Sequence, residues 1–207
     1  MEAPRTIIAA TTNAHKIIEI DAITREFGWH VISRKDAGIP DFEVEEDGLT
    51  FEENSLLKAQ SIFSYTGRPT IADDSGLAVD ALDGAPGVFS ARFAGEDATD
   101  ADNNAKLLRL LENVETERRT ARYVAVITLI MPDRAPIVCR GEIEGHIALK
   151  ETGTNGFGYD PMFIPNGYEE SFGVLPEELK NKLSHRYNAL LKLKKELAKV
   201  DCGSGPQ

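Results

Sequence analysis

Residues 121–149 read ARYVAVITLIMPDRAPIVCRGEIEGHIAL, and this stretch decides the fold class. Its first part, 121–131, is the longest β-like run in the chain, dense in branched apolar residues. Turn-forming residues PDRAP follow at 132–136, and 136–149 has the make-up of an antiparallel partner. This region therefore reads as a long hairpin. Upstream the pattern alternates between strand and helix. TIIAATT (6–12) is a short buried strand, and a helix over about 14–27 sets Ile17, Ile20, Ile23 and Phe27 near one face, with Gly28 as its stop. HVISR (30–34) is the next strand. Thr50 and Glu53 have capping-box spacing, ahead of a stripe through Leu56, Ala59 and Phe63 that ends at Gly67. TIA (70–72) and LAVDAL (77–82) read as two further strands. Thr99 caps a helix to about Asn113 that carries Leu107, Leu108 and Leu111. Ser184 caps a last helix with Leu190, Leu191 and Leu197 facing inward. Alternation followed by a hairpin predicts an α/β protein whose mixed central sheet is flanked by helices. No internal repeat is visible and no linker is long enough to force two independent domains. The expectation is one domain over residues 1–200, with 201–207 a disordered tail.

Composition narrows the function. With 207 residues, 42% hydrophobic and 28% charged, the chain is an ordinary globular sequence. No apolar run approaches the ~20 residues of a membrane helix. The start MEAPRTIIAA lacks the features of a secretory signal, and Cys139 and Cys202 make no disulfide framework or metal cluster. A cytoplasmic setting without a membrane partner is expected. The net charge of −11 repels a nucleic-acid backbone, so no nucleic-acid partner is expected either. A small anionic substrate remains compatible, because a local cation cluster or a bound divalent ion outweighs the global field.

Four stretches place chemically useful side chains at the ends of predicted elements, where ligands of open α/β sheets bind. TTNAHK (11–16) follows a strand and opens a helix. Its N–H groups, Thr11, Thr12, Asn13 and Lys16 suit a phosphate, although a plain capped helix start would read the same way. EVEEDG (43–48) offers Glu45 and Glu46 as oxygen ligands for Mg2+, or is a solvated acidic loop. IADDSG (71–76) presents Asp73 and Asp74 at a strand end. Neighbouring strand residues face opposite ways, so one acid faces a site and the other serves the scaffold. The alternative there is an Asp-rich turn. In GFGYDP (156–161) aromatics between glycines can stack on a base and Asp160 can accept from ring N–H groups. Lys180 comes just before SHR (184–186) in the sequence, and His185 or Arg186 can donate to a purine carbonyl. A basic residue in a first helical turn is unfavourable against the helix dipole, which hints at another job for Arg186. His15, His30 and His146 show no metal spacing.

These motifs, in this order, resemble the inosine/xanthosine triphosphate pyrophosphatase family. The likeness runs from TTNAHK through GLTFEENSLLKA, IADDSGLAVDALDGAPGVFSARFAGEDAT and GFGYDPMF to the SHR helix. It implies an elongated sheet carrying two lobes with the active-site cleft between them. It also implies hydrolysis of ITP, dITP and XTP to the monophosphate and pyrophosphate, with Mg2+ as cofactor and a homodimer as the assembly. Residue by residue, Thr11, Thr12, Asn13, Ala14, His15 and Lys16 match the triphosphate-binding segment. Glu45, with Glu46 beside it, matches the metal-binding glutamate, and Asp74 matches the metal ligand and proton acceptor. Ser75 matches a substrate contact, Lys58 a lysine near the phosphates, and Phe157, Gly158, Tyr159, Asp160, Lys180, His185 and Arg186 the nucleotide-binding positions. Two rivals stand beside this reading: a Maf-type pyrophosphatase for modified pyrimidine nucleotides, and a metal–nucleotide binding module without catalysis.

Overall fold

In the computed structural model, which describes residues 5–40, 44 and 46–202, six strands form one sheet in the order β2-β1-β3-β4-β5-β6. β1 (Arg5–Ala9) pairs in parallel with β2 (Trp29–Ile32) and with β3 (Thr70–Val79). Parallel neighbours need a crossover, and α1 (Ala14–Thr24) and α2 (Phe51–Thr66) supply the two. β4 (Thr120–Ile130) and β5 (Ile137–Ile147) are neighbours joined by residues 131–136, too short for a crossover, so they form the expected hairpin. β6 (Phe163–Pro165) adds an antiparallel edge. The mixed sheet read from the sequence is the sheet of the structure. α3 (Asp100–Leu110), α4 (Glu177–Leu183) and α5 (His185–Cys202) complete the helices.

Local signals did much of this. Thr50 and Thr99 each close a capping box, with Glu53 and Asp102 respectively. α2 stops at Gly67, whose φ of 62° suits a residue without Cβ, and Gly28 ends the short 3-10 turn after α1 in the same way. Four elements differ from expectation. The predicted strands 70–72 and 77–82 are one ten-residue strand through Thr70–Val79, and residues 80–82 are a 3-10 turn. Aspartates disfavour strands, but here tertiary ion pairs hold both acids in extended backbone. α4 and β6 were not anticipated, because each is too short to show a period. α5 runs on to Cys202, into the segment expected to be a tail, and residues 203–207 lie outside the described residues, as do Glu45 and the side chain of Phe27.

The chain divides into two compact units. The first comprises Met1–Asp74, Ala125–Gly141 and Arg186–Gln207, and the second Ser75–Val124 and Glu142–His185. In the first, Ile7, Ala9, Ile20, Ile23 and Trp29 pack with Ala125, Ile127, Leu129 and the α5 residues Ala189, Leu190, Leu193 and Leu197. Leu191 is only half-buried, so the inward face of α5 is set by 189, 190, 193 and 197. A further cluster in this unit joins Ile8, Ala10 and Ile130 to Ala59 and Ile62 of α2. In the second unit Leu77, Leu107, Leu111, Tyr123, Ile147, Phe163 and Phe172 form the core. Among the described residues, no helix is long and apolar enough to cross a membrane.

Candidate active site

The site begins with the alternation of a strand. Asp73 and Asp74 are adjacent on β3 and both are buried, at 0% and 5% exposure. Their carboxylates meet different partners, as the strand period requires. Asp73 is bound by Lys16 at 2.7 Å and by the Arg186 guanidinium at 3.2 and 3.3 Å. Arg186 also donates to Glu19 of α1, so two cations and two anions neutralise one another in the interior of the first unit. Burial works to raise the Asp73 pKa, yet Arg186 and Lys16 outweigh it and hold the carboxyl far below the ordinary range. Arg186 is 1% exposed, and its position in the first turn of α5 is offset by these carboxylates. The guanidinium expected to meet a purine carbonyl is thus engaged by Asp73 and Glu19. Glu19 was missed in the sequence, where nothing separates it from other polar helix residues.

Asp74 stands in another environment. One oxygen, Oδ1, accepts from Lys58 Nζ at 2.7 Å, while Oδ2 is buried with no hydrogen-bond partner among the described residues. Burial raises the Asp74 pKa, and Lys58 and Lys16 offset this only in part. Lys58 is also 2.8 Å from Glu46. Burial would lower its pKa, but Asp74 and Glu46 raise it, so the ammonium remains charged. α2 explains how a lysine reaches this place. Its buried stripe contains Phe51, Ser55, Lys58, Ala59 and Ile62, and its polar members find polar partners. Ser55 donates to Thr128 at 2.9 Å and Lys58 to Asp74.

An orphaned buried carboxylate oxygen costs about 1–3 kcal/mol if nothing binds it. Together with Glu46 on the same lysine, it makes a hard oxygen donor set of the kind Mg2+ uses beside substrate phosphates. Asp74 and Glu46 fit such an ion. Glu45, the glutamate matched by the resemblance, lies outside the described residues.

The TTNAHK segment opens α1 as expected. The Asn13 side chain accepts from the N–H groups of His15 at 3.0 Å and Lys16 at 3.2 Å, and Asn13 N–H donates to Thr11 Oγ1. Asn13 is therefore the helix cap, and those two N–H groups are not offered to a phosphate here. Thr12, Asn13, Ala14 and His15 are exposed, and Thr11 and Lys16 partly so. Thr11 and Thr12 line a cavity of about 270 Å³ with Ile17, Arg34, Lys35 and Ile39.

The second unit holds the remaining residues. Asp160 is 2% exposed and accepts from Lys180 Nζ at 2.7 Å and Phe157 N–H at 2.8 Å. Lys180 lies over the Phe157 ring, 4.7 Å from its centroid. Gly158 is held through its backbone: its N–H donates to Asp100 at 2.7 Å and its carbonyl accepts from Asn104 at 3.2 Å. Tyr159 is buried and donates to the Ser90 carbonyl, so Phe157 is the half-exposed aromatic of this loop. His185 is buried with its ring 4.8 Å from that of Tyr123 at an interplanar angle of 11°. Ser75, half-buried, begins this unit directly after Asp74. Sequence reading missed Asp100, Asn104 and Tyr123, which act through tertiary contacts that no local pattern marks.

The chain is thus an α/β protein with a mixed sheet, a buried carboxylate–lysine centre on β3 and, in the second unit, a clasped glycine-aromatic loop. Comparison with known proteins gives the family: residues 7–196 match the Ham1 family model, and the chain belongs to the Ham1 family. A dITP/XTP pyrophosphatase of Geobacter sulfurreducens is 49% identical over 192 residues, covering 92% of this chain and 96% of that protein. One from Listeria monocytogenes serotype 4b is 47% identical over 195 residues, covering 94% and 95%. The Staphylococcus aureus Ham1 protein structure superposes with a TM-score of 0.84 at 41% identity, over 95% of this chain and 100% of that one.

Proposed function

We propose that this protein hydrolyses non-standard purine nucleoside triphosphates, ITP, dITP and XTP, to the monophosphate and pyrophosphate. The observation that carries the reading is the buried Asp74 carboxylate, with one oxygen paired to Lys58 and the other without a partner among the described residues, in a chain closely similar to dITP/XTP pyrophosphatases. Family membership favours this substrate class over the Maf-type alternative. A buried carboxylate with a raised pKa and one oxygen left over from its lysine pair suits a proton acceptor, which a pure binding module does not need.

In the proposed reaction Asp74 Oδ2 orients a water and takes its proton as the water oxygen attacks the α-phosphorus. The bond from that phosphorus to the bridging oxygen breaks, and pyrophosphate leaves. Asp74 and Glu46 or Glu45 would hold Mg2+, which supplies charge neutralisation on the triphosphate when bound. Lys58 opposes the rise that burial imposes on the Asp74 pKa and adds positive charge beside it. Asp73 fixes Lys16, and Arg186 fixes Asp73, so the cation at the start of α1 has a set position. Phe157 offers a ring face to a base, and Lys180 and His185 offer donors for the C6 carbonyl of hypoxanthine or xanthine. Adenine presents a donor there, and a buried mismatch costs about 1–3 kcal/mol. Mg2+ dependence, a cytoplasmic setting and a homodimeric state belong to the same proposal and rest on the motif resemblance.

The test is a panel of ITP, dITP, XTP, ATP, GTP and pyrimidine triphosphates, with pyrophosphate and monophosphate measured in Mg2+ and in EDTA. Mg2+-dependent release of pyrophosphate, one per IMP formed, with ITP, dITP and XTP ahead of ATP, is expected. Preference for a pyrimidine nucleotide, or orthophosphate as the product, would overturn it.

A further inference from the structure

Tyr123 sits in the first half of β4 at 7% exposure, and two groups of the proposed base site converge on it. The His185 ring stacks on its face, with centroids 4.8 Å apart and planes nearly parallel. Its hydroxyl donates to the Asp160 carboxylate, the same group that accepts from Lys180 and from Phe157 N–H. Phe163 packs against the ring with centroids 4.6 Å apart and Phe172 at 6.4 Å, so Tyr123 is held among aromatic neighbours. Three donors on one buried carboxylate nearly fill its acceptor capacity. Asp160 is then an organiser of this loop, with little capacity left for a substrate N–H.

We infer that Tyr123 is a positioning residue for base selection, whose ring fixes the plane of His185 and whose hydroxyl fixes Asp160 and, through it, Lys180 and Phe157. The inference rests on the purine triphosphate reading above and goes further, because it names one side chain that makes the separate donors act in register. A β4 residue with a simple packing role would need only its ring. The hydroxyl is the part that packing does not explain, since it spends a donor on a carboxylate that two other groups already bind.

Tyr123→Phe separates the two roles. It keeps the stack on His185 and deletes one donor to Asp160. Expected is a rise of about 5- to 20-fold in KM for ITP with kcat within about twofold, as for loss of a binding interaction made equally in ground and transition states. Tyr123→Leu deletes the stack as well, and the ITP-to-ATP ratio of kcat/KM should fall by about tenfold or more. An independent readout is the His185 ring resonance in NMR spectra. The aromatic-ring shift should persist in Tyr123→Phe and vanish in Tyr123→Leu. If Tyr123→Phe, folded and with wild-type Tm, matches the wild-type KM and substrate ratio, the inference is overturned, whether or not Tyr123→Leu folds. Wild-type protein that releases no pyrophosphate from ITP would instead remove the functional reading, and this inference with it.

Discussion

Asp73 and Asp74 are consecutive on β3, yet the first is locked between Lys16 and Arg186 and the second keeps one buried oxygen without a partner among the described residues. Strand alternation sends the two carboxylates to different neighbours, and the neighbours assign different work. Asp74→Asn tests that assignment. The amide keeps the volume and a hydrogen-bonding oxygen near Lys58, so the fold should survive with Tm changed by little. Turnover of ITP should fall by about 10²- to 10⁴-fold, the usual contribution of a general base. Single-turnover kinetics with circular dichroism on the same sample will check both halves. Near-normal kcat would remove Asp74 from the chemistry.

Asp73→Asn should behave in the opposite manner, as a stability variant. Lys16, Arg186 and Glu19 would be left with one anion for two cations, and breaking a buried ion network costs about 3–5 kcal/mol. The acid dependence has a definite sign. The folded Asp73 pKa lies far below its unfolded value near 3.9, so its stabilisation is fully present above about pH 4 and drains away as the pH falls below that. Urea midpoints measured from pH 7 downward should therefore drop steeply in the acid range for the wild type. They should start lower and slope less for Asp73→Asn. Parallel curves would show that another carboxylate governs acid unfolding.

Much of this was legible in the chain, and the limits have physical causes. Capping boxes at Thr50 and Thr99, the left-handed glycines 28 and 67 and the 121–149 hairpin are local signals, and local signals survived into the structure. The unbroken β3 was not legible, because the favourable terms for extended Asp73 and Asp74 come from Lys16, Lys58 and Arg186, distant in sequence. The same holds for Arg186. Its residue type pointed to a ligand donor, and the fold adds what no local pattern marks: Asp73 and Glu19 engage its guanidinium. Lys58 was half legible. It falls on the buried stripe of an amphipathic helix, a place where a lysine needs an anionic partner, but only the fold names Asp74.

Lys58→Met keeps the buried stem and removes the charge. Burial already raises the Asp74 pKa, and Lys58 is the main group opposing that rise. Without the ammonium, the Asp74 pKa moves further up. The acid limb of the kcat/KM profile for ITP, where protonation of the base shuts the reaction down, should move to higher pH at fixed Mg2+. The variant should also lose stability near neutral pH, as Asp74 and Glu46 lose their shared cation. An acid limb that stays in place would show that Asp74 is not the proton acceptor.

Gly156 and Gly158 flank Phe157, and both need positive φ, 75° and 60°, so an alanine at either position is strained by about 1–2 kcal/mol. Their surroundings differ sharply. A Cβ at Gly158 would meet nothing within 4 Å, whereas one at Gly156 would lie 2.0 Å from Asp160 Oδ2. That oxygen holds Lys180 and the Phe157 N–H, so Gly156→Ala must push the carboxylate off both. Gly158→Ala should therefore lower Tm by a few degrees with the KM for ITP nearly unchanged. Gly156→Ala should lose a similar or larger margin of stability and raise the KM by about tenfold or more, since the aromatic and the lysine lose their common anchor. Thermal melts paired with initial-rate kinetics on the two variants decide the point. Equal effects on KM would mean that the loop acts through its backbone shape alone and that the Asp160 anchor is dispensable.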